Sequence, residues 1–181
     1  MDVLTRQSSH NTARSDEAGA TEGHFPAVRM RRLRRSPALR GLTEETRLTA
    51  SRLIAPLFLT EAPAGREPIA SLPGVDRLSL AEALREIEAL QAVGVRAVLP
   101  FAKVPDERKD NEGAYALDPQ GFYARAVRAI KKSFPDVCVM TDVALDPYSI
   151  HGHDGIVRDG IIVNDDTIAV LARMSVVHAD A

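Results

Sequence analysis

Short apolar runs alternate with amphipathic segments from residue 53 onward, and this alternation limits the fold more than any other feature of the sequence. The apolar runs that are typical of strands are residues 53–59, 95–101 and 137–145. The segments 79–94 and 118–134 carry apolar residues at helical spacing. Strands that alternate with helices indicate a parallel sheet with right-handed crossovers. The sequence therefore predicts an α/β protein.

Local signals mark the ends of these two helices. Ser79 and Glu82 have the spacing of a capping box, in which each side chain bonds the other residue's backbone N–H, and Gly94 predicts the end of that helix. Asp118 followed by Pro119 predicts a cap and a first-turn proline for the second helix. The run 53–59 is nearly continuous in apolar residues, so we expect a strand that is buried on both faces.

A hairpin and a third helix are predicted after the third strand. Asp159-Gly160 separates two short apolar runs, as in a tight turn, because glycine tolerates the positive φ that such turns require. Residues 164–166 are candidate caps for a helix that covers 167–178. Because a further strand would be expected after this helix, we interpret the sequence as the front part of a larger domain. The alternative is a three-stranded module that is complete in itself.

The first 52 residues differ from the rest in charge, with 10 arginines and 6 acids. Residues 1–24 are polar and lack apolar periodicity, so we expect a flexible tail. The acids in this tail argue against a transit peptide, and the cytoplasm is the expected compartment. We interpret residues 25–52 as a basic arm and residues 53–181 as the α/β remainder. The arm fits either a nucleic-acid contact or, as its interspersed apolar residues favour, packing against this domain or a second subunit.

Composition excludes several classes of protein. The chain is 45% hydrophobic with a formal charge of −2, and its apolar runs are far shorter than the about 20 residues that a membrane-spanning helix needs. We therefore expect no membrane segment. The one cysteine, Cys138, rules out a disulfide framework or a cysteine zinc site and fits a reducing compartment.

Three aspartates after the third predicted strand are the main candidates for chemistry. Asp142 and Asp146 lie four positions apart, and Asp154 can return to them if the loop folds back. Ligands gather where parallel strands end, and carboxylate oxygens suit Mg²⁺ better than zinc. A plainer explanation for Asp146 is the start of a turn before Pro147. The pair His151 and His153 is a further possible metal ligand set, or a loop in which one ring is hydrogen-bonded and the other solvated.

Lysine nucleophiles need desolvation or a neighbouring cation to lower their pKa. The four lysines are Lys103, Lys109, Lys131 and Lys132. Two of them end a helix and two lie in a polar loop, and only Lys103 follows a predicted strand closely.

Several segments together resemble the porphobilinogen synthase family, also called delta-aminolevulinic acid dehydratase. They are FPAVRMRRLRR (25–35), LIAPLFL (53–59), PIASLPGVDR (68–77), TDVALDPYSIHGHDG (141–155) and NDDT (164–167). The resemblance implies a (β/α)8 barrel, of which this chain would hold the arm and about the first three βα units. It also implies the condensation of two 5-aminolevulinate molecules to porphobilinogen, in heme and other tetrapyrrole synthesis. The two Schiff-base lysines of the family belong to later strands, so the resemblance implies that this chain alone is inactive.

The resemblance assigns roles to particular residues. Zinc-dependent members have cysteines where this chain has Ala144, Asp146 and Asp154, which implies no active-site zinc and a stimulatory Mg²⁺. Asp146 and Asp154 would then orient substrate amino groups or a hard cation, with support from Asp142. The family's arms embrace a neighbouring subunit, often in an octamer, and the arm residues here would be Arg29, Arg31, Arg32, Arg34 and Arg35. The alternative is a non-catalytic remnant or oligomerisation partner of the full-length enzyme.

Overall fold

The structure, a computed structural model, describes residues 25, 26 and 28–181. The chain divides into two compact units, one up to Arg47 and one over Leu48–Ala181, and each is described by itself. The predicted flexible tail, residues 1–24, lies outside the described residues. The predicted division at residues 24 and 52 stays a prediction.

The first unit contains a 3-10 turn, Arg32–Arg34, and one short helix, α1 (Pro37–Leu42). Helix α1 begins where the sequence Ser-Pro favours it, because the Ser36 hydroxyl accepts a hydrogen bond from Leu39 N (3.2 Å) and Pro37 occupies the first turn. The large apolar side chains that the structure describes in this unit are exposed, Met30 at 91% and Leu42 at 82%. The arm interpretation did not foresee this helix.

The second unit is built on a five-stranded sheet. Its strands are β1 (Ile54–Leu59), β2 (Arg66–Pro68), β3 (Asp76–Leu78), β4 (Ala97–Ala102) and β5 (Cys138–Val139), in the order β2-β3-β1-β4-β5. The unit has three helices, α2 (Leu80–Ala92), α3 (Phe122–Ser133) and α4 (Asn164–Ala179). Helix α2 follows β3 in the chain and α3 follows β4. A separate hairpin consists of β6 (Val157–Arg158) and β7 (Ile161–Ile162).

The predicted alternation is confirmed, because β1, β4 and β5 run parallel and are joined through α2 and α3. The main core lies between the sheet and these two helices, with Leu59, Val98, Ile87 and Ile130 fully buried. A second apolar cluster lies under α4. This arrangement places α2 and α3 on one side of the sheet.

The prediction that β1 is buried on both faces was wrong. Leu57 and Leu59 point into the core, but Ile54 is 47% exposed and Pro56 is also exposed. Phe58 lies on that second face and stacks on Phe101 of β4, with ring centroids 5.5 Å apart. Alternate residues of a strand face opposite sides, and within the described residues no helix covers this second side.

The sequence pattern did not predict strands β2 and β3. The two strands are three residues each and pair antiparallel, and β3 joins β1 in parallel through Leu59 and Leu78. A strand of three residues is too short for a two-residue periodicity to show.

The third strand is much shorter than the predicted run 137–145. Hydrogen bonds from Cys138 N to Arg96 O and from Met140 N to Val98 O, both 2.9 Å, join it to β4 on either side of the paired residues. The next carbonyl of β4, that of Pro100, accepts a hydrogen bond from a side chain instead. The strand therefore ends and an irregular loop begins.

The predicted helix starts needed correction at two places. Ser79 does cap α2, since its hydroxyl accepts from Glu82 N (3.4 Å). The reciprocal half of the capping box is wrong, because Ser79 N donates to Gly65 O and the Glu82 carboxylate binds arginines. The second helix begins at Phe122 and not at Asp118, whose carboxylate instead accepts from Gln120 N in a turn.

The third predicted helix is present as α4, but residues 164–166 lie in its first turn and do not cap it through their side chains. The predicted hairpin turn is confirmed, with φ of 52° at Asp159 and 77° at Gly160. The side chain of Asn111 holds this hairpin by donating to Val157 O (2.9 Å) and accepting from Val157 N (3.1 Å). Among the described residues, no helix is both long and apolar enough to cross a membrane.

Candidate active site

The carboxyl ends of β1, β4 and β5 meet at one edge of the sheet, because these three strands are parallel. Residues 140–156, called the site loop below, leave β5 at this edge. The site loop carries all three candidate aspartates.

Apolar residues anchor the site loop and leave its polar residues free. Leu145, Tyr148 and Ile156 are buried in the second apolar cluster, where Val170 and Met174 of α4 also lie. Between these anchors the chain forms a 3-10 turn at residues 146–148. Buried anchors that flank exposed carboxylates give the aspartates a defined position at the surface of the unit.

Two of the three aspartates are held together directly. Asp146 N donates a hydrogen bond to Asp154 Oδ1 (3.3 Å), and the two carboxyl groups also interact. Burial raises the pKa of Asp146, and the negative charges of Asp154 and then Asp142 raise that pKa further. The site loop therefore folds back and brings Asp154 to Asp146, which was the condition for these residues to meet. The roles predicted for these residues in binding stay predictions.

The pair Asp146 and Asp154 can share a proton or bind a cationic group, because two neighbouring carboxylates repel each other unless a positive charge or a proton lies between them. His151 and His153 are exposed on the same loop. Over residues 25, 26 and 28–181, no three or more His, Cys, Asp or Glu side chains are grouped so that they could hold a metal ion. The oxygen donors at hand are therefore the two carboxylates, which suit a hard cation.

The lysines near the site lack the environment of a Schiff-base nucleophile. Lys103 follows β4, but its amine is solvent-exposed and pairs with Glu67 Oε1 (2.9 Å). Lys109 pairs with Asp106 (2.7 Å), and Lys131 donates to two backbone carbonyls. A lysine nucleophile needs desolvation or a neighbouring cation, whereas these three amines bind carboxylate or carbonyl oxygens.

Buried aromatic residues behind the aspartates were not identified from the sequence. The Tyr123 hydroxyl donates to Pro100 O (3.0 Å), and its ring packs against His178, with centroids 4.7 Å apart. Burial raises the pKa of Tyr123 to about 12. The helical spacing of residues 118–134 gave Tyr123 no role of its own, and nothing in the sequence pointed to the hydrogen bond of its hydroxyl.

A family model described as delta-aminolevulinic acid dehydratase matches residues 27–181. The chain belongs to this family. The delta-aminolevulinic acid dehydratase of Bradyrhizobium diazoefficiens is 44% identical over 169 residues, which are 93% of this chain and 48% of that protein. The chloroplastic enzyme of Selaginella martensii is 46% identical over 157 residues, 84% of this chain and 37% of that protein. The chain thus spans about half the length, or less, of the curated relatives that it matches.

A solved structure gives the same result at the level of the fold. The delta-aminolevulinic acid dehydratase (porphobilinogen synthase) of Toxoplasma gondii ME49, crystallised with the reaction product porphobilinogen, matches with a TM-score of 0.80 and 41% identity. The match covers 84% of this chain and 44% of that chain. The fold is therefore that of part of a (β/α)8 barrel, as predicted, and its parallel strands β1, β4 and β5 belong to that barrel.

Proposed function

We infer that this chain supplies the substrate-binding aspartates of a porphobilinogen synthase. The reaction condenses two molecules of 5-aminolevulinate to porphobilinogen with loss of water, a step of tetrapyrrole synthesis. The observation that carries this inference is the group Asp142, Asp146 and Asp154 at the carboxyl edge of the sheet, in a family member whose Toxoplasma relative was crystallised with porphobilinogen.

The chemistry of the substrate fits this group. 5-Aminolevulinate carries an amino group that is a cation at neutral pH, and a pair of carboxylates favours a cation between them. The raised pKa of Asp146 also lets this carboxyl group accept a proton more readily than an ordinary aspartate. Asp146 and Asp154 would therefore orient the amino group and hold a proton beside it. The Schiff-base lysines of the reaction would come from outside residues 1–181.

Mg²⁺ is a proposed stimulatory cofactor, and no zinc is proposed. In this role, which is an alternative to binding the amino group, Asp146 and Asp154 would supply two oxygen ligands, and water molecules would complete the coordination, since Mg²⁺ keeps several waters in proteins. The ion would neutralise the charge of the carboxylate pair. The donor set contains no thiolate or imidazole, which are the ligands that zinc prefers.

Homo-oligomerisation through the arm is also a proposal. It is supported by the exposed apolar side chains of the first unit and by its arginines, Arg29, Arg31, Arg32, Arg34 and Arg35. A second candidate function, a non-catalytic partner that assembles with the full-length enzyme, rests on the same exposed surface. We propose neither a nucleic acid nor a membrane as partner. The cytoplasmic location stays a prediction, because the Selaginella relative is chloroplastic.

A chimera tests the proposed function. In this chimera, residues 27–181 replace the matching segment of the Bradyrhizobium diazoefficiens enzyme, so that the relative supplies the remaining half. We expect the chimera to form porphobilinogen from 5-aminolevulinate and the 181-residue chain alone to form none. A chimera that folds and assembles but forms no porphobilinogen would contradict the proposed enzyme function and favour the non-catalytic partner.

A further inference from the structure

The hydrogen bonds between β4 and β5 follow a regular series that stops at Asp142. Cys138 N donates to Arg96 O and Met140 N donates to Val98 O. In a parallel ladder this series advances two residues at a time on both strands, so the next bond would join Asp142 N to Pro100 O. That bond is absent from the hydrogen bonds of the described residues.

The hydroxyl of Tyr123 occupies the place of the missing bond. It donates to Pro100 O at 3.0 Å. The backbone of Asp142 lies close enough to this hydroxyl to lower its pKa, although burial raises that pKa overall. A hydroxyl can donate once and accept twice, so a hydroxyl that donates to the carbonyl of β4 still has lone pairs with which to accept from an N–H of the site loop. Two hydrogen bonds in series separate the strands by roughly 3 Å more than one direct bond does.

Packing fixes the position of this hydroxyl. The Tyr123 side chain lies on α3 and is 8% exposed. Its ring is packed against the ring of His178 on α4, which is 6% exposed and has no hydrogen-bond partner at either nitrogen within the described residues. A ring that is held by two helices cannot swing away, so the hydroxyl acts as a fixed spacer between the strands.

We propose that Tyr123 is a positioning residue for the aspartates of the site loop. Pro100 has no N–H to donate to the ladder, and the hydroxyl of Tyr123 takes the carbonyl of Pro100 as well. The hydroxyl thereby directs Asp142 out of the sheet and toward Asp146 and Asp154. The helix layer thereby sets the geometry of the carboxylate group through one side-chain oxygen. The functional part of this proposal rests on the proposed function, whereas the structural part stands without it.

Tyr123→Phe tests the structural part. Without the hydroxyl, we expect Asp142 N to donate directly to Pro100 O and the ladder to gain one bond. NMR of the labelled 181-residue chain would detect this bond as a scalar coupling between the amide nitrogen of Asp142 and the carbonyl carbon of Pro100. The coupling should be absent in the unsubstituted chain and present in the variant.

Tyr115→Phe is the matched control. The Tyr115 hydroxyl, which this variant removes, donates to Glu61 Oε1 (2.7 Å) and accepts from Phe122 N (3.1 Å) at the start of α3. It makes no hydrogen bond to the ladder between β4 and β5. We expect this variant to lose two hydrogen bonds without any new coupling. The same coupling in Tyr115→Phe, no coupling in Tyr123→Phe, or a coupling already present in the unsubstituted chain would each overturn the proposal.

The functional consequence is measured in the chimera. Displacing Asp142 should lower kcat/KM for 5-aminolevulinate by roughly 10- to 100-fold in Tyr123→Phe and leave the Tyr115→Phe chimera close to the unsubstituted one. If the chain alone gives no dispersed spectrum, the distance from Asp142 N to Pro100 O in a crystal structure of each chimera replaces the NMR measurement. An inactive unsubstituted chimera would refute the proposed function, while the coupling or the distance would still decide the role of Tyr123.

Discussion

At the scale of single residues, the central feature is the coupled pair Asp146 and Asp154. The pKa of Asp146 is raised because burial disfavours its ionised form and because Asp154 adds a negative charge nearby. From the sequence, Asp146 and Asp154 were expected to lie close together only if the loop between them folds back. It could not predict the pKa, because burial depends on Leu145 and Tyr148, which anchor the loop from below.

Asp154→Asn should lower the pKa of Asp146 toward the ordinary value for aspartate. The substitution removes the neighbouring charge and keeps the shape of the side chain, so that the remaining rise in pKa comes from burial. NMR titration of the Asp146 carboxyl carbon measures the change. His153→Gln is the control at the adjacent exposed position, and an Asp146 pKa that is the same in both variants would contradict the coupling.

His178 should make the stability of the second unit depend on pH. Burial lowers the pKa of His178, and the negative charge of Asp142 opposes that shift, while Tyr123 packs on the ring. The pKa of His178 is lower in the folded state than in the unfolded state. The free energy of unfolding is therefore at its full value above a pH of about 6.5, and it decreases as the pH falls toward the lowered pKa.

Urea unfolding between pH 5 and pH 8 measures this dependence. His178→Leu should flatten the loss of stability on the acid side, since leucine carries no titrating group. His151→Leu, at an exposed position of the site loop, should leave the acid side unchanged. An equally steep loss of stability in His178→Leu and in the unsubstituted chain would assign the pH dependence to other groups.

At the scale of elements, the alternation of strands and helices was predictable, whereas the exact ends were not. The apolar periodicity of α2 and α3 is a local property of the sequence. The geometry at the end of β5 depends on the hydroxyl of Tyr123, which lies 15 positions before Cys138 in the chain and meets β4 only in the folded unit. The three-residue strands β2 and β3 depend likewise on pairing with β1, which no local pattern reveals.

Gly155→Ala should destabilise the junction between the site loop and the hairpin. A methyl group at Gly155 would lie 2.5 Å from Cγ2 of Ile162 and 3.2 Å from Oγ1 of Thr167. Because Thr167 Oγ1 also accepts from Ile156 N (3.1 Å), the neighbours cannot move freely. We expect a loss of about 1–3 kcal/mol in the free energy of unfolding.

Thermal or urea unfolding of the chain measures this loss. Gly41→Ala is the control, since a methyl group there meets no atom within 4 Å. If Gly155→Ala and the unsubstituted chain are equally stable, the prediction is wrong. The hairpin would then pack less tightly against α4 than it does in the structure.

At the scale of the whole molecule, the family membership explains both what the chain contains and what it lacks. The described residues supply parallel strands, a rim of carboxylates and two lysines, Lys103 and Lys109, that are paired with acids. The chain spans about half the length of its Bradyrhizobium relative. The motif that carried the resemblance, residues 141–155, is the site loop, so sequence alone located the candidate site although not its geometry.

The proposed oligomer should weaken at high salt. Exposed ion pairs are screened by salt, and the arm carries five clustered arginines, so their contribution to association should fall as ionic strength rises. Sedimentation of the chimera at about 0.05 M and about 1 M salt measures subunit association. Replacing Met30 and Leu33 by serine should weaken association at both salt concentrations. Association that is unaffected by salt would count against a role for the arginines.

The central claim is that the aspartates of the site loop bind and orient 5-aminolevulinate. The most direct measurement is kcat/KM for porphobilinogen formation by the chimera with Asp146→Asn and Asp154→Asn together, beside a control with Asp159→Asn at the hairpin turn. We predict a loss of about 100-fold or more in the double variant and none in the control. A double variant as active as the unsubstituted chimera would contradict the claim.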